Sequence, residues 1–436
     1  MAKKIAFYTL GCKVNQADTA SMEEIFRHAG YEVVGFNETA DVYLINTCVV
    51  TNTGQRKSRQ IINRAIRRHP LSLTVVTGCY PQTAAEEVKA IDGVDVIIGN
   101  QERGRIVELV EQALEHKTDE ILDNVQKMTV DTKFEEIGVG TETDKTRGFL
   151  KIQEGCNQYC TYCIIPYARG PLRSRSLENI QEEVAKLVKA GYKEVVLIGI
   201  HLGCYGKELG GKITLYDAVK AALRVPGLKR LRLGSLESVE VDTRILDLME
   251  EDPRLCRHLH LPLQAGCDRV LASMHRPYDT ARYRALLQDI RKRLPDIAIT
   301  TDIIVGFPGE TEEDFAQTLD FARECGFAKM HIFPFSRRKG TPAEKMPHQV
   351  DDSVKQERAA RLGELDEELL QQLLQSLVGT EQEVLFEQPV DNERVEGLIS
   401  SYQRVIVPAP VELCGEIVKI KIIGVQEDFL LGELVK

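Results

Sequence analysis

The chain has 436 residues, 43% of them hydrophobic and 28% charged, which is enough for two or three domains with their own cores. A formal net charge of −10 argues against a general polyanion binder, so any contact with nucleic acid must use local positive charge. No apolar run approaches the ~20 residues that cross a bilayer, and the first residues lack the pattern of a signal peptide. We therefore expect a cytoplasmic protein, not bound to a membrane, whose 11 cysteines are reduced.

Residues 1–116 are predicted to alternate between strands and helices. Strand-like runs lie at Ile5–Leu10, Glu32–Phe36, Val42–Asn46, Thr74–Thr77 and Val94–Gly99. Helical patterns lie between them at Asp18–Ala29, Gly54–Arg68, Thr83–Ala90 and Arg103–His116. This alternation is typical of a doubly wound parallel sheet.

Three cysteines, Cys12, Cys48 and Cys79, each follow one of these predicted strands. Ligands of open α/β sheets bind beyond the carboxyl ends of the strands, so we expect the three thiols to converge on one edge. A free cysteine is often only a small buried hydrophobic residue. Three cysteines at equivalent positions favour a three-thiolate metal cluster over that alternative.

Residues 117–146 are polar and are interpreted as a linker, with a strand or two near Ile121–Thr129. In residues 147–378 the alternation of strands and helices resumes. The predicted strands are Phe149–Gln153, Val195–Ile200, Leu228–Leu233, His258–Leu261, Ile297–Val305 and Lys329–Pro334. Six such repeats are typical of an incomplete (β/α) barrel, whose chemistry takes place at the C-terminal ends of the strands.

The first predicted barrel strand is followed by Cys156, Cys160 and Cys163, in the spacing C-x3-C-x2-C. Three thiolates from one loop can hold three irons of a [4Fe–4S] cluster and leave the fourth iron open. The alternative is a structural zinc site, which needs four ligands. The nearest later candidates for a fourth ligand, His201 and Cys204, lie beyond a predicted helix and strand, so we favour the cluster.

The last segment, residues 379–436, follows a charged, leucine-rich helical stretch and consists of short β-rich pieces. They lie at Glu383–Phe386, Val395–Ile399, Arg404–Pro408, Ile417–Ile423 and Phe429–Glu433. The close spacing of the turns predicts a small five-stranded β-barrel. Acidic residues outnumber basic ones in this segment, which is unusual for a domain that binds RNA by charge.

Several motifs stand beside the three-cysteine loop. They are Gly11-Cys12-Lys13-Val14-Asn15-Gln16, Asn46-Thr47-Cys48, Gly78-Cys79, Leu261-Pro262-Leu263-Gln264-Ala265-Gly266-Cys267 and Gly306-Phe307-Pro308-Gly309-Glu310-Thr311. Together they resemble the methylthiotransferase family of radical S-adenosylmethionine (SAM) enzymes. The resemblance implies an N-terminal cluster domain, a radical SAM barrel and a C-terminal TRAM domain.

The resemblance also implies the cofactors. Cys12, Cys48 and Cys79 would bind an auxiliary [4Fe–4S] cluster that carries sulfur, and Cys156, Cys160 and Cys163 would bind the radical SAM cluster. Two molecules of SAM would be used, one as methyl donor and one as radical source. An electron donor and a sulfur source are further partners that the chemistry requires.

By the same resemblance, the SAM contacts include Tyr162 near the adenine and the polar side chains of Ser235 and Glu237. Gly306 either lets the chain approach the adenine or only serves a turn. The family's Gly-Gly-Glu motif after the second barrel strand is missing, and Gly199-Ile200-His201-Leu202-Gly203 stands there. His201 is therefore either a cavity residue or a hydrogen-bonded structural histidine.

Two groups of arginines are candidate RNA contacts. Arg56, Arg59 and Arg67 share one face of a predicted helix that follows Cys48. Such a charge run is usually only a solvated face, but here no acidic residue interrupts it. The second group lies just beyond the cysteine loop and comprises Arg169, Arg173 and Arg175.

The substrate suggested by the resemblance is the anticodon loop of tRNA carrying N6-threonylcarbamoyladenosine at position 37, which would be methylthiolated at C2. The Lys13-Val14 pair resembles the branch acting on that nucleoside, whereas the isopentenyladenosine branch usually has Gln-Met there. The threonylcarbamoyl carboxylate needs a cation, which either Lys13 or one of the second arginine group could supply. The alternatives are isopentenyladenosine-37, an aspartate of a ribosomal protein, and a sulfur or electron carrier without radical catalysis.

Overall fold

The N-terminal region is a six-stranded parallel sheet in a computed structural model that describes residues 2–115, 120–142 and 146–435. The strand order is β2-β1-β3-β4-β5-β6. The strands are β1 (Lys4–Thr9), β2 (Glu32–Val34), β3 (Val42–Thr47), β4 (Leu73–Gly78), β5 (Val96–Ile98) and β6 (Leu122–Asn124). The helices are α1 (Lys13–His28), α2 (Asn52–Arg68), α3 (Cys79–Lys89) and α4 (Ile106–Glu115).

This sheet confirms the predicted doubly wound architecture. The central strands β3 and β4 are buried along their whole length, as expected when helices cover both faces. The sixth strand, β6, pairs with β5 and lies inside the segment expected to be a linker, so part of that segment belongs to the sheet. The last residue of the fourth predicted helix, His116, lies outside the described residues.

The middle region is a partial (β/α) barrel, as predicted. Its strands are β7 (Arg147–Glu154), β8 (Arg173–Ser174), β9 (Glu194–Gly199), β10 (Arg230–Leu233), β11 (His258–His260), β12 (Ala298–Val305) and β13 (Lys329–Pro334). Six of them run parallel in the order β7-β9-β10-β11-β12-β13, with isolated bridges joining β10 to β11. The short β8 pairs antiparallel with β7.

Helices cover the outside of this barrel. They are α5 (Ile165–Arg169), α6 (Leu177–Lys189), α7 (Leu215–Leu223), α8 (Thr243–Glu251), α9 (Asp268–Ser273), α10 (Thr280–Arg293), α11 (Glu312–Cys325) and α12 (Asp352–Leu377). One continuous hydrophobic core joins the barrel strands to α6–α12, whereas Ala168 of α5 packs in a core of the N-terminal region. The inner face of β9 packs instead against α1, where Val14 and Ala17 contact Val196 and Ile198. The N-terminal region therefore covers part of the barrel interior.

The C-terminal region is a closed five-stranded barrel in the order β14-β15-β16-β18-β17, which also confirms the prediction. Its strands are β14 (Glu381–Pro389), β15 (Arg394–Ile399), β16 (Arg404–Pro408), β17 (Ile417–Gln426) and β18 (Phe429–Leu434). Among the described residues, no helix has the length and apolarity that a membrane crossing requires.

The turn between β15 and β16 fastens this small barrel to the other two regions. Its Tyr402 has φ +78°, and the guanidinium of Arg232 lies 3.8 Å from the centre of its ring. Arg147 donates a hydrogen bond to the Tyr402 hydroxyl at 2.8 Å, and the Lys13 ammonium lies 5.5 Å from the ring centre. Because Arg147 begins β7, the turn docks at the end of the barrel opposite the cysteine loop.

Candidate functional site

Cys12, Cys48 and Cys79 lie together at the carboxyl edge of the N-terminal sheet. They follow β1, β3 and β4, which are neighbours in the sheet. Gly11, at φ +107°, makes this approach possible, because a Cβ added there would lie 3.2 Å from the Cys48 sulfur. Burial raises the pKa of the Cys48 thiol to about 11, so binding an iron or another cation must displace its proton.

Arg169 links this edge to the barrel. Its guanidinium Nε lies 3.3 Å from the Cys79 sulfur, and its Nη1 lies 3.0 Å from a carboxylate oxygen of Asp18 in α1. The same guanidinium also contacts Glu154, at the end of β7, and Asn15. Arg169 is fully buried, so it holds the thiol edge against the first barrel strand.

The surroundings of Arg169 carry an excess of positive charge. Four buried cations face the two buried carboxylates Asp18 and Glu154; they are Arg103, Lys151, Arg169 and Arg173. Burial acts to raise the pKa of Glu154, but Lys151 and Arg169 hold it well below its usual range. Even if the half-buried Glu135 at the margin is ionised, the cations remain in excess. An anionic group beside Cys79 would balance this charge, which a three-thiolate iron–sulfur cluster can do.

The second thiol site is the loop after β7, at the carboxyl end of the barrel strands. The Cys160 sulfur accepts a hydrogen bond from Arg276 Nη1 at 3.0 Å, and the Cys156 sulfur lies 3.4 Å from His201 Nδ1. Each of these cations is held by a carboxylate. Glu237 pairs with Arg276, and Glu240 lies 2.8 Å from His201 Nε2.

The electrostatics of His201 follow from these contacts. Burial acts to lower its pKa, but the hydrogen bonds with Cys156, Cys204 and Glu240 outweigh burial and raise it to about 12. The pKa of Glu240 falls to about 2, because the hydrogen bond from His201 outweighs the opposite effect of burial. These contacts therefore favour the protonated imidazole.

The spacing of the thiols separates zinc from a cluster. Tetrahedral zinc with bonds of about 2.3 Å brings its sulfur ligands to about 3.8 Å from one another. In the described part of the chain, only two sets of three or more ligand atoms lie within 4.8 Å of one another, and neither contains three cysteines. Neither thiol site among the described residues therefore has the close spacing of a closed zinc site, whereas in a four-iron cluster each thiolate binds a different iron and need not be so close to the others.

Of the four expected SAM contacts, Tyr162 lies in the cysteine loop and Glu237 is connected to it through Arg276. Tyr162 packs on the barrel core, and its hydroxyl is 3.4 Å from Arg276 Nη1. Ser235 is exposed just after β10, whereas the carboxylate of Glu237 is already paired with Arg276. Gly306 follows β12 at φ +71°, where a Cβ would lie 2.3 Å from the Lys355 side chain. The positive φ and the close Lys355 side chain therefore explain why a glycine stands at position 306.

Three comparisons bear on identity. Family models match residues 4–99 (Uncharacterized protein family UPF0004), 150–322 (Radical SAM superfamily) and 375–435 (TRAM domain). The chain is 41% identical to "Threonylcarbamoyladenosine tRNA methylthiotransferase MtaB" of Bacillus subtilis, over 99% of this chain and 96% of the relative. It is 39% identical to the protein of that name from Aquifex aeolicus, over 90% of this chain and 96% of the relative.

The chain belongs to the methylthiotransferase family of radical SAM enzymes.

A second group of family members is somewhat less similar. The "tRNA-2-methylthio-N(6)-dimethylallyladenosine synthase" of Alkaliphilus oremlandii is 33% identical, over 100% of this chain and 93% of the relative. Among solved structures, the radical SAM methyltransferase TsrM from Kitasatospora setae shares the fold. It has a TM-score of 0.57 at 16% identity, covering 79% of this chain and 77% of that one.

Of the two groups of arginines expected to contact RNA, the structure exposes one and buries the other. Arg56, Arg59 and Arg67 are exposed and line one shallow surface depression on α2, together with Gln60 and Asn63.

The prediction that Arg169, Arg173 and Arg175 face RNA is wrong, because all three are buried. Arg169 and Arg173 pair with Glu154, and Arg175 donates to the main-chain oxygen of Lys151. Sequence could not reveal this, since Glu154 lies before the cysteine loop and the arginines after it. In the sequence, a cluster of arginines that binds phosphates cannot be distinguished from one that pairs with buried carboxylates.

Sequence reasoning also missed Arg276 and Asp18. Arg276 follows α9, far along the chain from the loop whose Cys160 it contacts. Asp18 stands inside α1, where one acidic residue in a helix gives no signal of burial. The one sequence signal for these buried contacts was the excess of arginines near cysteines.

Proposed function

We propose that the protein is a tRNA methylthiotransferase that converts N6-threonylcarbamoyladenosine at position 37 into its 2-methylthio derivative. The observation that carries the reaction class is the pair of three-thiol sites, one at the carboxyl edge of the sheet and one at that of the barrel, linked by Arg169. The nucleoside is supported by the relatives named for it, which are 36–41% identical, against 33–35% for those named for dimethylallyladenosine.

In this proposal Cys156, Cys160 and Cys163 hold a [4Fe–4S] cluster that, when bound, supplies the electron for reductive cleavage of SAM to a 5′-deoxyadenosyl radical. Tyr162, Ser235 and Glu237 line the SAM site beside it, and Gly306 forms the turn after β12. An external reductant and a sulfur source complete the requirements.

Cys12, Cys48 and Cys79 hold a second [4Fe–4S] cluster, which carries the sulfur. The excess of buried cations around Arg169 supports this assignment, because that cluster is anionic and a sulfur ligand makes it more so. A second SAM would methylate that sulfur and leave as S-adenosylhomocysteine.

The threonylcarbamoyl group of the proposed substrate bears a carboxylate, and Lys13 is the cation available to it. Sequence left Lys13 and three arginines as candidates, and the burial of Arg169, Arg173 and Arg175 removes the arginines. Lys13 is exposed, follows Cys12 directly and has no ion pair among the described residues. In the nucleoside, C2 and the substituted C6 both flank N1. The Lys13 ammonium lies 5.5 Å from the centre of the Tyr402 ring, so in this proposal it leaves that ring to meet the carboxylate while C2 faces the sulfur beside Cys12.

Product analysis tests the nucleoside. Anaerobically reconstituted enzyme is given two tRNAs, one carrying threonylcarbamoyladenosine and one isopentenyladenosine at position 37, and digested nucleosides are measured by mass spectrometry. We expect the methylthio product only from the first tRNA, and in a deletion strain the loss of that nucleoside alone. Product from the isopentenyl tRNA alone would assign the chain to the other branch.

The role of Lys13 is tested with Lys13→Gln in the same assay. Loss of a charged hydrogen-bond donor is expected to lower kcat/KM for the threonylcarbamoyl tRNA roughly 10- to 100-fold. The exposed Lys3→Gln is the matched control and should behave as wild type. Equal kcat/KM in Lys13→Gln and Lys3→Gln would exclude Lys13 as the carboxylate contact.

A further inference from the structure

His201 stands where the sequence departs from the family pattern, just after β9, and its contacts give it a defined role. Nδ1 lies 3.4 Å from the Cys156 sulfur and 3.6 Å from the Cys204 sulfur. Nε2 lies 2.8 Å from one carboxylate oxygen of Glu240. The other oxygen of Glu240 accepts from Lys207 at 2.7 Å. His201 is 7% exposed, so water does not compete freely for these contacts.

His201, Cys204 and Glu240 lie close enough to be considered as a metal site, but their geometry is that of a hydrogen-bonded chain. One imidazole binds one metal through one nitrogen, and here its two nitrogens face different partners. The Cys204 sulfur is 2.9 Å from Glu240, which is a hydrogen-bonding distance. Lys207 already neutralises that carboxylate, which lowers its affinity for a cation.

The direction of the hydrogen bonds follows from the acceptor. The carboxylate of Glu240 anchors the ring as an ion pair at Nε2, and the thiolate of a cluster-bound Cys156 can only accept, so the hydrogen bond at Nδ1 runs from the ring to the sulfur. Nδ1–H then points at the sulfur of Cys156. Gln153 secures the same residue from behind, since its side-chain oxygen accepts from the His201 main-chain N–H at 2.6 Å.

We propose that His201 is a positioning residue that donates a hydrogen bond from Nδ1 to the Cys156 sulfur and thereby raises the reduction potential of the cluster bound by the loop. This inference rests on the proposed function, in which Cys156 is a cluster ligand. Hydrogen bonds to the sulfurs are among the factors that set the potential of an iron–sulfur cluster. Donation stabilises negative charge on the sulfur, and that charge is greater in the reduced cluster, so reduction becomes easier.

The experiment is a redox titration of the reconstituted full-length protein, without tRNA, followed by the EPR signal of the reduced cluster. The variants also carry Cys12→Ala, Cys48→Ala and Cys79→Ala, so that only the loop cluster contributes. We expect His201→Leu to shift the midpoint potential to a more negative value. His201→Asn, whose amide nitrogen takes the place of Nδ1, should restore most of the shift. Cys204→Ala removes the other neighbour of Nδ1 and should not lower the potential.

Equal midpoint potentials in His201→Leu and its parent would overturn the proposal, as would a shift that His201→Asn does not restore. If His201→Leu fails to retain iron, Glu240→Gln decides. Because Glu240→Gln weakens the contact that anchors Nε2, we expect a smaller shift of the midpoint potential to a more negative value. An unchanged midpoint potential in this variant would contradict the proposal. Absence of any cluster in the parent, which keeps all three loop cysteines, would refute the proposed function instead.

Discussion

The two thiol sites differ in how their neighbouring charges are balanced. At the loop site each cation that contacts a thiol pairs with a carboxylate: Arg276 with Glu237, and His201 with Glu240, which the exposed Lys207 also contacts. At the N-terminal site the cations around Arg169 outnumber the carboxylates. A three-thiolate cluster is anionic at either site, but SAM brings a sulfonium together with its carboxylate, whereas a sulfur ligand adds only negative charge. The charge-balanced site thus suits SAM, and the positive site suits a sulfur-carrying cluster.

The largest expected effect is on iron content. Reconstituted protein should hold about eight irons per chain, as expected for two four-iron clusters. Replacing Cys156, Cys160 and Cys163 with Ala should leave about half, and replacing Cys12, Cys48 and Cys79 should leave the other half. Iron and zinc are measured by elemental analysis. Full iron content in the first variant, or stoichiometric zinc in place of iron, would contradict the two-site assignment.

The next largest effect is on stability, and it tests the buried charges of the N-terminal site. Arg169→Met removes the guanidinium that donates hydrogen bonds to Asp18, Glu154 and Asn15, and leaves these buried acceptors without those bonds. We expect a loss of about 3–5 kcal/mol in the free energy of unfolding, measured by denaturant titration of the apoprotein.

Arg56→Met is the matched control, since Arg56 is exposed and should change stability by no more than about 0.5 kcal/mol. If Arg169→Met is as stable as this control, the buried network does not hold the sheet edge to the barrel.

The smallest effect concerns RNA and separates the exposed arginines from the buried ones. Arg56, Arg59 and Arg67 are changed together to Gln. If each contacts a phosphate, the plot of log K for tRNA binding against log salt should become less steep, by roughly 2–3 in slope. Binding of tRNA is measured at several salt concentrations. Lys189, Lys212 and Lys229, three exposed lysines of the barrel region, provide a control triple that should leave the slope unchanged. Equal slopes in the two triples would show that α2 is only a solvated face.

Sequence predicted the three-part fold because its signals are local. Alternating strands and helices and the placement of Cys12, Cys48 and Cys79 after strands follow from short-range patterns. Side-chain partners from distant segments could not be predicted in this way. Arg169 was expected to be exposed because its partner Asp18 belongs to another region, and Arg276 went unnoticed for the same reason. His201 was noticed only because it replaced an expected motif, and its sulfur contact required the folded loop.

The separation of the two thiol sites is the central claim, and one measurement tests it most directly. Protein with Cys12, Cys48 and Cys79 changed to Ala is incubated anaerobically with SAM, reductant and tRNA carrying threonylcarbamoyladenosine. Both 5′-deoxyadenosine and the methylthiolated nucleoside are then quantified by mass spectrometry. We predict that 5′-deoxyadenosine still forms and that no methylthio product appears. Wild-type amounts of methylthio product from this variant would contradict the account.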